Sequence, residues 1–232
     1  MLSDGLDYPK RGDDAVITIV IGSLLSFFSW TLITALPLLG YFVRVLRETI
    51  RGNEEPPEYD DWGDLFVTGV LALGISLVYS IVPFVLLGII LVVLTAVLGV
   101  GFGAEAGIVG LLISLFVFVL AAIPVALLVY YVVPAALAAY ADTGSVGAAF
   151  SPGGMADVLL SLEYLTASLL PILLAVVVSV INTFLAATVV GLVVAIPLQY
   201  YVTVAVFRMF GTAYRDVKGT AAPVDSGTAT PA

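Results

Sequence analysis

The chain has 232 residues, of which 61% are hydrophobic and only 11% are charged, and its net charge is −9. Because about a quarter of the residues in a soluble domain are charged, this composition excludes an ordinary soluble globule and a nucleic-acid-binding protein. The mean hydropathy of +1.17 instead predicts an all-α fold. We expect a polytopic helical membrane bundle with proline-kinked helices, surrounded by the lipid bilayer.

The chain contains no cysteine and no histidine. This absence excludes disulfides, thiolate and Fe–S chemistry, histidine-based zinc sites and serine–histidine catalysis. No aspartate lies in the middle of an apolar run. That argues against an aspartyl intramembrane protease, which needs two carboxylates facing each other within the membrane. We therefore predict a protein without enzymatic activity, cofactor or bound metal ion.

The helical segment predicted at residues 15–50 is apolar over 15–43, follows a polar N-terminal segment at 1–14 and allows two arrangements. A single span would put the two N-terminal basic residues on the opposite side from the polar loop at 44–64. A hairpin with its tip near residues 28–31 would keep both ends on one side. Its arms would be only about 22 Å long and would re-enter the membrane without crossing it. We favour the hairpin, because acidic residues count little in the positive-inside rule.

Four further segments are long enough to cross a bilayer, which takes about 20 helical residues. Together with the first segment they make a single membrane domain over residues 15–215, and their predicted bounds are 64–98, 107–141, 156–181 and 184–214. The last two segments belong to one continuous apolar region. As a single helix this region would be about 75 Å long, so it must form two spans. This division predicts a turn at Asn182 and Thr183. The polar, Gly-, Thr- and Pro-rich residues 216–232 are predicted to form a disordered tail.

The eight basic residues all lie within residues 10–11, 44–51 and 208–218. The positive-inside rule therefore predicts a cell-membrane protein whose 44–64 loop and C-terminus face the cytoplasm. Only two of the basic residues are lysines, against seventeen acidic residues in the chain. An acidic, lysine-poor surface is typical of a salt-adapted, halophilic organism, because concentrated salt screens the repulsion between carboxylates.

The acidic loop at residues 51–64 is the most distinctive polar segment. Its carboxylates are possible ligands for a divalent cation, but the residue spacing of a calcium-binding loop is missing. The candidate interface residues are Tyr59, Asp60, Asp61, Trp62 and Asp64. We interpret the two aromatic residues as anchors at the membrane surface and the last aspartate as the cap of the next helix. The other acidic residues are interpreted as hydrated surface.

Glu163 and Arg208 are the two charged residues that lie well inside apolar segments. An ionisable residue within a membrane is a functional candidate, and a structural ion pair is the alternative that we favour. On neighbouring antiparallel helices the two residues would differ in axial level by about 9 Å, part of which an arginine can span. We therefore predict that an arginine pairs with Glu163, with Arg208 as the first choice and Arg44 as the second.

Five short stretches resemble those of a known family. They are residues 6–9 (LDYP), 40–47 (GYFVRVLR), 56–66 (PPEYDDWGDLF) with Gly69, 148–150 (AAF) and 211–215 (GTAYR). Together they are similar to the domain of unknown function 4013 family, multi-pass membrane proteins that are frequent in salt-loving archaea. The resemblance covers nearly the whole chain except its tail. It implies a membrane bundle, but the family has no established activity and brings no catalytic residues.

Two classes of function are consistent with these observations. The first is a non-enzymatic structural or accessory membrane protein, which fits the lack of buried reactive groups. The alternative is a small-solute transporter or channel with a path near Glu163, which fits the proline-broken helices and a re-entrant hairpin. A path lined by hydroxyl groups and tyrosines would favour transport, and a continuous apolar core would favour the first class. Binding to a protein partner or to a second copy of the chain is consistent with this sequence, whereas binding to a nucleic acid is not expected.

Overall fold

The computed structural model describes residues 2–98, 107–185 and 187–221. Over these residues the chain forms nine α-helices and one short 3₁₀ turn, Tyr8–Lys10, with no β-strand. The helices are α1 (Leu2–Asp7), α2 (Ala15–Phe27), α3 (Leu32–Ile50), α4 (Trp62–Leu98), α5 (Gly107–Thr143), α6 (Val146–Ala149), α7 (Pro152–Leu159), α8 (Leu162–Leu185) and α9 (Val189–Ala221). The predicted all-α class is confirmed.

Within the described ranges, four helices are long and apolar enough to cross a membrane. The spans are Trp62–Val93, Leu115–Thr143, Leu162–Leu185 and Val193–Gly219. Large apolar side chains such as Ile89, Phe116 and Leu173 are exposed on their outer faces. The helices continue through their internal prolines, which membrane helices tolerate; these are Pro83, Pro124, Pro134, Pro171 and Pro197.

Residues 15–50 form the two helices α2 and α3, and residues 28–31 make the turn between them. The outer ends of the two helices lie at the same end of the bundle, because the Tyr8 hydroxyl donates a hydrogen bond to the carbonyl oxygen of Glu55 at 3.1 Å. The chain therefore enters and leaves this helix pair on one side, as in the hairpin arrangement. We call this end of the molecule the charged end.

The charged end is defined by residues 2–14, the loop at 51–61, the connection at 144–161 and the last turns of α9. Helix α3 lies at its centre and packs against α4, α5 and α9. Antiparallel contacts of Gly40 with Leu65 and of Leu36 with Gly69 fix the register between α3 and α4. By that register the hairpin tip lies beside α4 about 20 Å from the first residue of that helix. The hairpin therefore fills only the half of the bundle nearest the charged end.

The helix bounds differ from the predictions in three places. The predicted helix at 156–181 is two helices, α7 and α8, which are separated at residues 160–161. The last turn lies at residues 187–188, not at Asn182 and Thr183. Helix α9 continues to Ala221, so the first residues of the predicted disordered tail are helical. The rest of that tail, 222–232, and the connector 99–106 lie outside the described residues.

Side-chain hydrogen bonds explain why the last turn lies beyond Asn182. The Thr183 hydroxyl donates to the carbonyl oxygen of Ser179 at 2.9 Å, as helical threonines do. Thr188 instead caps α9, because its hydroxyl oxygen accepts a hydrogen bond from the backbone N–H of Gly191 at 2.9 Å. Gly191 also lies so close to the carbonyl of Leu185 that a side chain there would collide with it.

Candidate functional site

The acidic loop is attached to α3 by the guanidinium group of Arg44. This group forms ion pairs with Asp60 and with Asp64, the latter at 3.1 Å between Nη2 and Oδ2. It also donates to the carbonyl oxygens of Glu58 at 3.3 Å and of Asp60 at 3.2 Å. Arg44 is therefore not a partner of Glu163: it holds the loop that directly precedes α4.

The start of α4 is capped by Asp61 and not, as predicted, by Asp64. Asp61 precedes the first helical residue, and its Oδ1 accepts a hydrogen bond from the Asp64 N–H at 3.2 Å. Its φ angle is 41°, in the left-handed region that aspartate adopts more readily than most residues. Asp64, in the first helical turn, is thereby free to pair with Arg44.

Tyr59 inserts into an aromatic cluster beneath the loop. Its ring stacks on that of Tyr41 with centroids 4.1 Å apart, and on that of Trp62 at 5.8 Å. Its hydroxyl donates to the hydroxyl of Tyr200 at 3.2 Å. Burial raises the pKa of Tyr59 above its ordinary value. Trp62 is 48% exposed, so of the two predicted surface anchors only the tryptophan lies at the surface.

Arg208 joins three segments at the charged end, and it is the only buried charged residue in the described part of the chain. Its Nε donates to Asp4 Oδ2 at 3.2 Å and its Nη1 to the carbonyl oxygen of Asn53 at 2.6 Å. The guanidinium carbon lies 4.5 Å from the centroid of the Tyr8 ring, within the range of a cation–π contact. The N-terminal segment is thereby bound both to α9 and to the acidic loop.

Asp4 lies between two arginines, because Arg11 Nη2 also binds its Oδ1 at 2.8 Å. Burial alone would raise the pKa of Asp4, but the hydrogen bonds and positive charges of Arg11 and Arg208 outweigh it. The pKa of Asp4 is therefore lowered. Burial raises the pKa of the neighbouring Tyr8 hydroxyl to about 12. Over the ordinary pH range Asp4 is therefore ionised and the Tyr8 hydroxyl is protonated, and these are the forms that bind the N-terminal segment.

Glu163 is exposed, and no arginine in the described ranges lies within 4.0 Å of its carboxylate. The predicted pairing with an arginine is thus not formed, and Asp4 takes the place of Glu163 at Arg208. The reason lies in the helix break at residues 160–161. Since α8 begins at Leu162, Glu163 lies in the first helical turn, where the positive end of the helix dipole favours a carboxylate.

A cavity of about 870 Å³ opens at the charged end between α3 and the acidic loop. Arg44, Arg47 and Arg51 line one side, and the carboxylates and prolines between residues 53 and 64 line the other. Within the described ranges, no three carboxylates converge in a way that could hold a metal ion. Exposed charges of both signs therefore border this cavity.

Sequence reasoning did not identify Asp4, Tyr8, Tyr41 or Tyr200 as parts of this site. Tyr8 and Tyr41 belong to the short stretches at residues 6–9 and 40–47 on which the family resemblance rests. An uncommon polar or aromatic residue within such a stretch is the signal that could have drawn attention to them. Nothing local marks the pairing of Asp4 with Arg208, which are 204 positions apart.

The fold and the four long apolar helices define the class of the protein: an all-α bundle of helices suited to a lipid bilayer. The family described as Protein of unknown function (DUF4013) matches residues 21–187. The chain therefore belongs to the domain of unknown function 4013 family, and the resemblance seen in its sequence motifs is confirmed. No curated protein and no solved structure matches the chain.

Proposed function

We propose that the protein is a non-enzymatic accessory protein of the cell membrane, and that the acidic loop at its charged end, residues 51–64, is a preformed acidic platform for a basic segment of a partner protein. The observation that carries this proposal is the attachment of the acidic loop by Arg44. The loop is bound through its backbone and through Asp60 and Asp64, while the carboxylates of Glu54, Glu55 and Glu58 are exposed.

A fixed loop favours binding, because less conformational entropy is lost when a partner docks on it. The exposed carboxylates give the platform its negative charge, and they would attract a basic segment over a distance that depends on ionic strength. The buried Arg208 is fully used in holding the N-terminal segment and the loop together. Its contacts support a structural role for the charged end rather than a chemical one.

The proposal requires the charged end to face the cytoplasm. Its support is the position of the eight basic residues, which lie towards the charged end of the molecule: in the N-terminal segment, in and after α3, and in the last part of α9. Because the chain has no cysteine, single-cysteine variants give no background labelling. A membrane-impermeant maleimide should label Thr188→Cys in intact cells, and Glu54→Cys only after lysis. The reverse pattern would contradict this orientation.

The partner can be sought by placing a photo-crosslinking amino acid at position 58 in living cells. We expect a covalent complex with a protein segment rich in lysine or arginine, which high salt prevents. The Glu58→Lys variant should abolish co-purification of that partner, while the backbone contact of residue 58 with Arg44 remains. The matched control is Asp157→Lys, which makes the same change of charge at an exposed position of α7. Equal effects of the two variants would contradict the platform.

Transport through a path near Glu163 is the weaker candidate. Glu163 lines neither the cavity at the charged end nor the intramembrane groove described below. A flux assay in vesicles with Glu163→Gln tests it directly, and unchanged flux would count against such a path.

We also infer adaptation to concentrated salt. The support is the excess of acidic residues and the exposure of the loop carboxylates, which repel one another unless salt screens them.

A further inference from the structure

A groove of about 590 Å³ lies between α5, α8 and α9, on the parts of these helices that are long and apolar enough to span a membrane. Its volume is in the range of small-molecule binding sites. Its polar lining consists of Tyr130, Ser179, Asn182, Thr183, Gln199 and Thr203. The other lining residues are aliphatic or proline, and none of the lining side chains is charged.

Three hydroxyl groups of this groove use their hydrogen atoms within the protein. The hydroxyl groups of Thr183 and Thr203 both donate to carbonyl oxygens of their own helices, at 2.9 Å and 2.8 Å. The Tyr130 hydroxyl donates to the carbonyl oxygen of Ser168 at 3.2 Å. The hydrogen atoms of these groups are thus used, while their oxygen lone pairs can still accept a bond.

Asn182 is the focus of the groove. Its Nδ2 donates to Gln199 Oε1 at 3.5 Å, whereas its Oδ1 is buried and has no hydrogen-bond partner among the described residues. A buried amide oxygen without a donor is costly, and most costly in surroundings with little water. The group that completes this site must therefore offer an N–H or O–H.

The position of Asn182 indicates how a ligand would lie. Asn182 is three residues before the end of α8 at Leu185, which puts it about 5 Å from the end of the helix farthest from the charged end. The groove extends from there towards Pro171 and Tyr130, nearer the middle of the bundle, along an aliphatic wall that includes Val178 and Val202. Asn182 and Thr183 thus lie near the membrane surface, and the aliphatic wall extends deeper into the bilayer.

We propose that this groove binds an uncharged, hydroxyl-bearing lipid of the diacylglycerol type. Its hydroxyl group donates to Asn182 Oδ1, and its acyl chains lie against the aliphatic wall. The uncharged lining offers no counter-ion to a phosphate group, which disfavours an anionic phospholipid. The orientation of the groove matches that of a lipid in one leaflet, with the head at the surface and the chains towards the midplane.

The test uses the full chain in phosphatidylcholine vesicles that contain a small fraction of photoactivatable diacylglycerol. After irradiation, we expect mass spectrometry to find the label concentrated on peptides of α8 and α9 between residues 171 and 206. Unlabelled diacylglycerol should compete for this labelling. Asn182→Leu should reduce it about tenfold, the effect of losing one hydrogen bond to an otherwise unpaired buried group.

The matched control is Thr166→Val, on the exposed face of the same helix but outside the groove, and it should label like the natural protein. Gln199→Leu is a second groove variant in case Asn182→Leu does not fold, as judged by its gel-filtration profile. The proposal is overturned if both groove variants fold and are labelled as strongly as the natural protein. It is also overturned if α4 is labelled as strongly as α8 and α9, or if photoactivatable phosphatidylglycerol labels the groove as strongly as photoactivatable diacylglycerol does. Disulfide-linked dimers of Asn182→Cys would assign the groove to a second copy of the chain and would also overturn it.

Discussion

Gly40 on α3 lies directly against the backbone carbonyl of Leu65 on α4, with no space between them for a methyl group. One turn further along, Gly69 on α4 makes the same contact with the carbonyl of Leu36 on α3. The two contacts are reciprocal, and such small residues allow membrane helices to approach closely. Since the acidic loop connects these two helices, their close packing determines where the loop begins and ends.

We expect Gly40→Ala and Gly69→Ala each to lower the free energy of unfolding by about 1–3 kcal/mol, because an added methyl group must push the two backbones apart. Denaturant unfolding of the detergent-solubilised protein measures this change. The matched control is Gly74→Ala on α4, where an added Cβ would have no atom within 4 Å, and its stability should not fall. If Gly40→Ala is as stable as the natural protein, the close contact is wrong.

Removing the Arg44 side chain should free the acidic loop. Its side chain is only 13% exposed, and its guanidinium group binds two carboxylates and two carbonyl oxygens, so Arg44→Ala should cost about 1.5–3 kcal/mol. A glutamate-specific protease should then cut within residues 54–58 much faster. Arg44→Lys should restore little of the lost stability or protease resistance, because an ammonium group lacks the planar fork of donors of a guanidinium group.

The control for the loop experiment is Arg51→Ala. Arg51 is 64% exposed, and within the described residues its one ion pair is with Glu48 in the last turn of α3, an interaction that contributes little in water. Cleavage of this variant should match that of the natural protein, and equally fast cleavage in both variants would show that Arg44 does not hold the loop.

Acid should release the N-terminal segment. The pKa of Asp4 is lower in the folded protein than in the unfolded chain, so its contribution to stability is complete above its unfolded pKa of about 3.9. That contribution is lost as the pH falls through the lower, folded value. The fluorescence polarisation of a dye on Leu2→Cys should therefore decrease as the pH drops below about 4.

Asp4→Asn separates this effect from the titration of other carboxylates. The amide cannot form the ion pairs with Arg11 and Arg208, so the segment should give low polarisation already at neutral pH and show no acid transition. A transition of full size in Asp4→Asn would assign it to other groups.

Salt should stabilise the protein. Its net charge is −9, and the Debye length falls from about 10 Å at 0.1 M to about 3 Å at 1 M salt, so repulsion among the exposed carboxylates decreases. We expect the unfolding temperature to rise over this range of potassium chloride. Replacing Glu54, Glu55 and Glu58 by glutamine should reduce the rise, and a salt-independent unfolding temperature would contradict the inferred adaptation.

Prediction from the sequence was accurate for helices and less so for their ends. The long apolar segments at 64–98 and 107–141 differ from α4 and α5 by at most two residues at either end. The turn expected at Asn182 and Thr183 lies five residues further on, at 187–188, because the Thr183 hydroxyl bonds within its own helix and the cap of the next helix is Thr188. Counting residues locates a span, but local hydrogen bonds decide where it ends.

An all-helical bundle suited to a bilayer follows from the amino-acid sequence alone. Apolar segments of this length must satisfy their backbone hydrogen bonds internally, and the helix does so whatever its neighbours are. Which charged side chains form pairs is visible only in the folded molecule. Arg208 binds Asp4 from the opposite end of the chain, and Glu163, the partner expected from helix counting, lies exposed in the first turn of α8. Ion pairing depends on which side chains are neighbours in space, and neither hydropathy nor residue spacing contains that information.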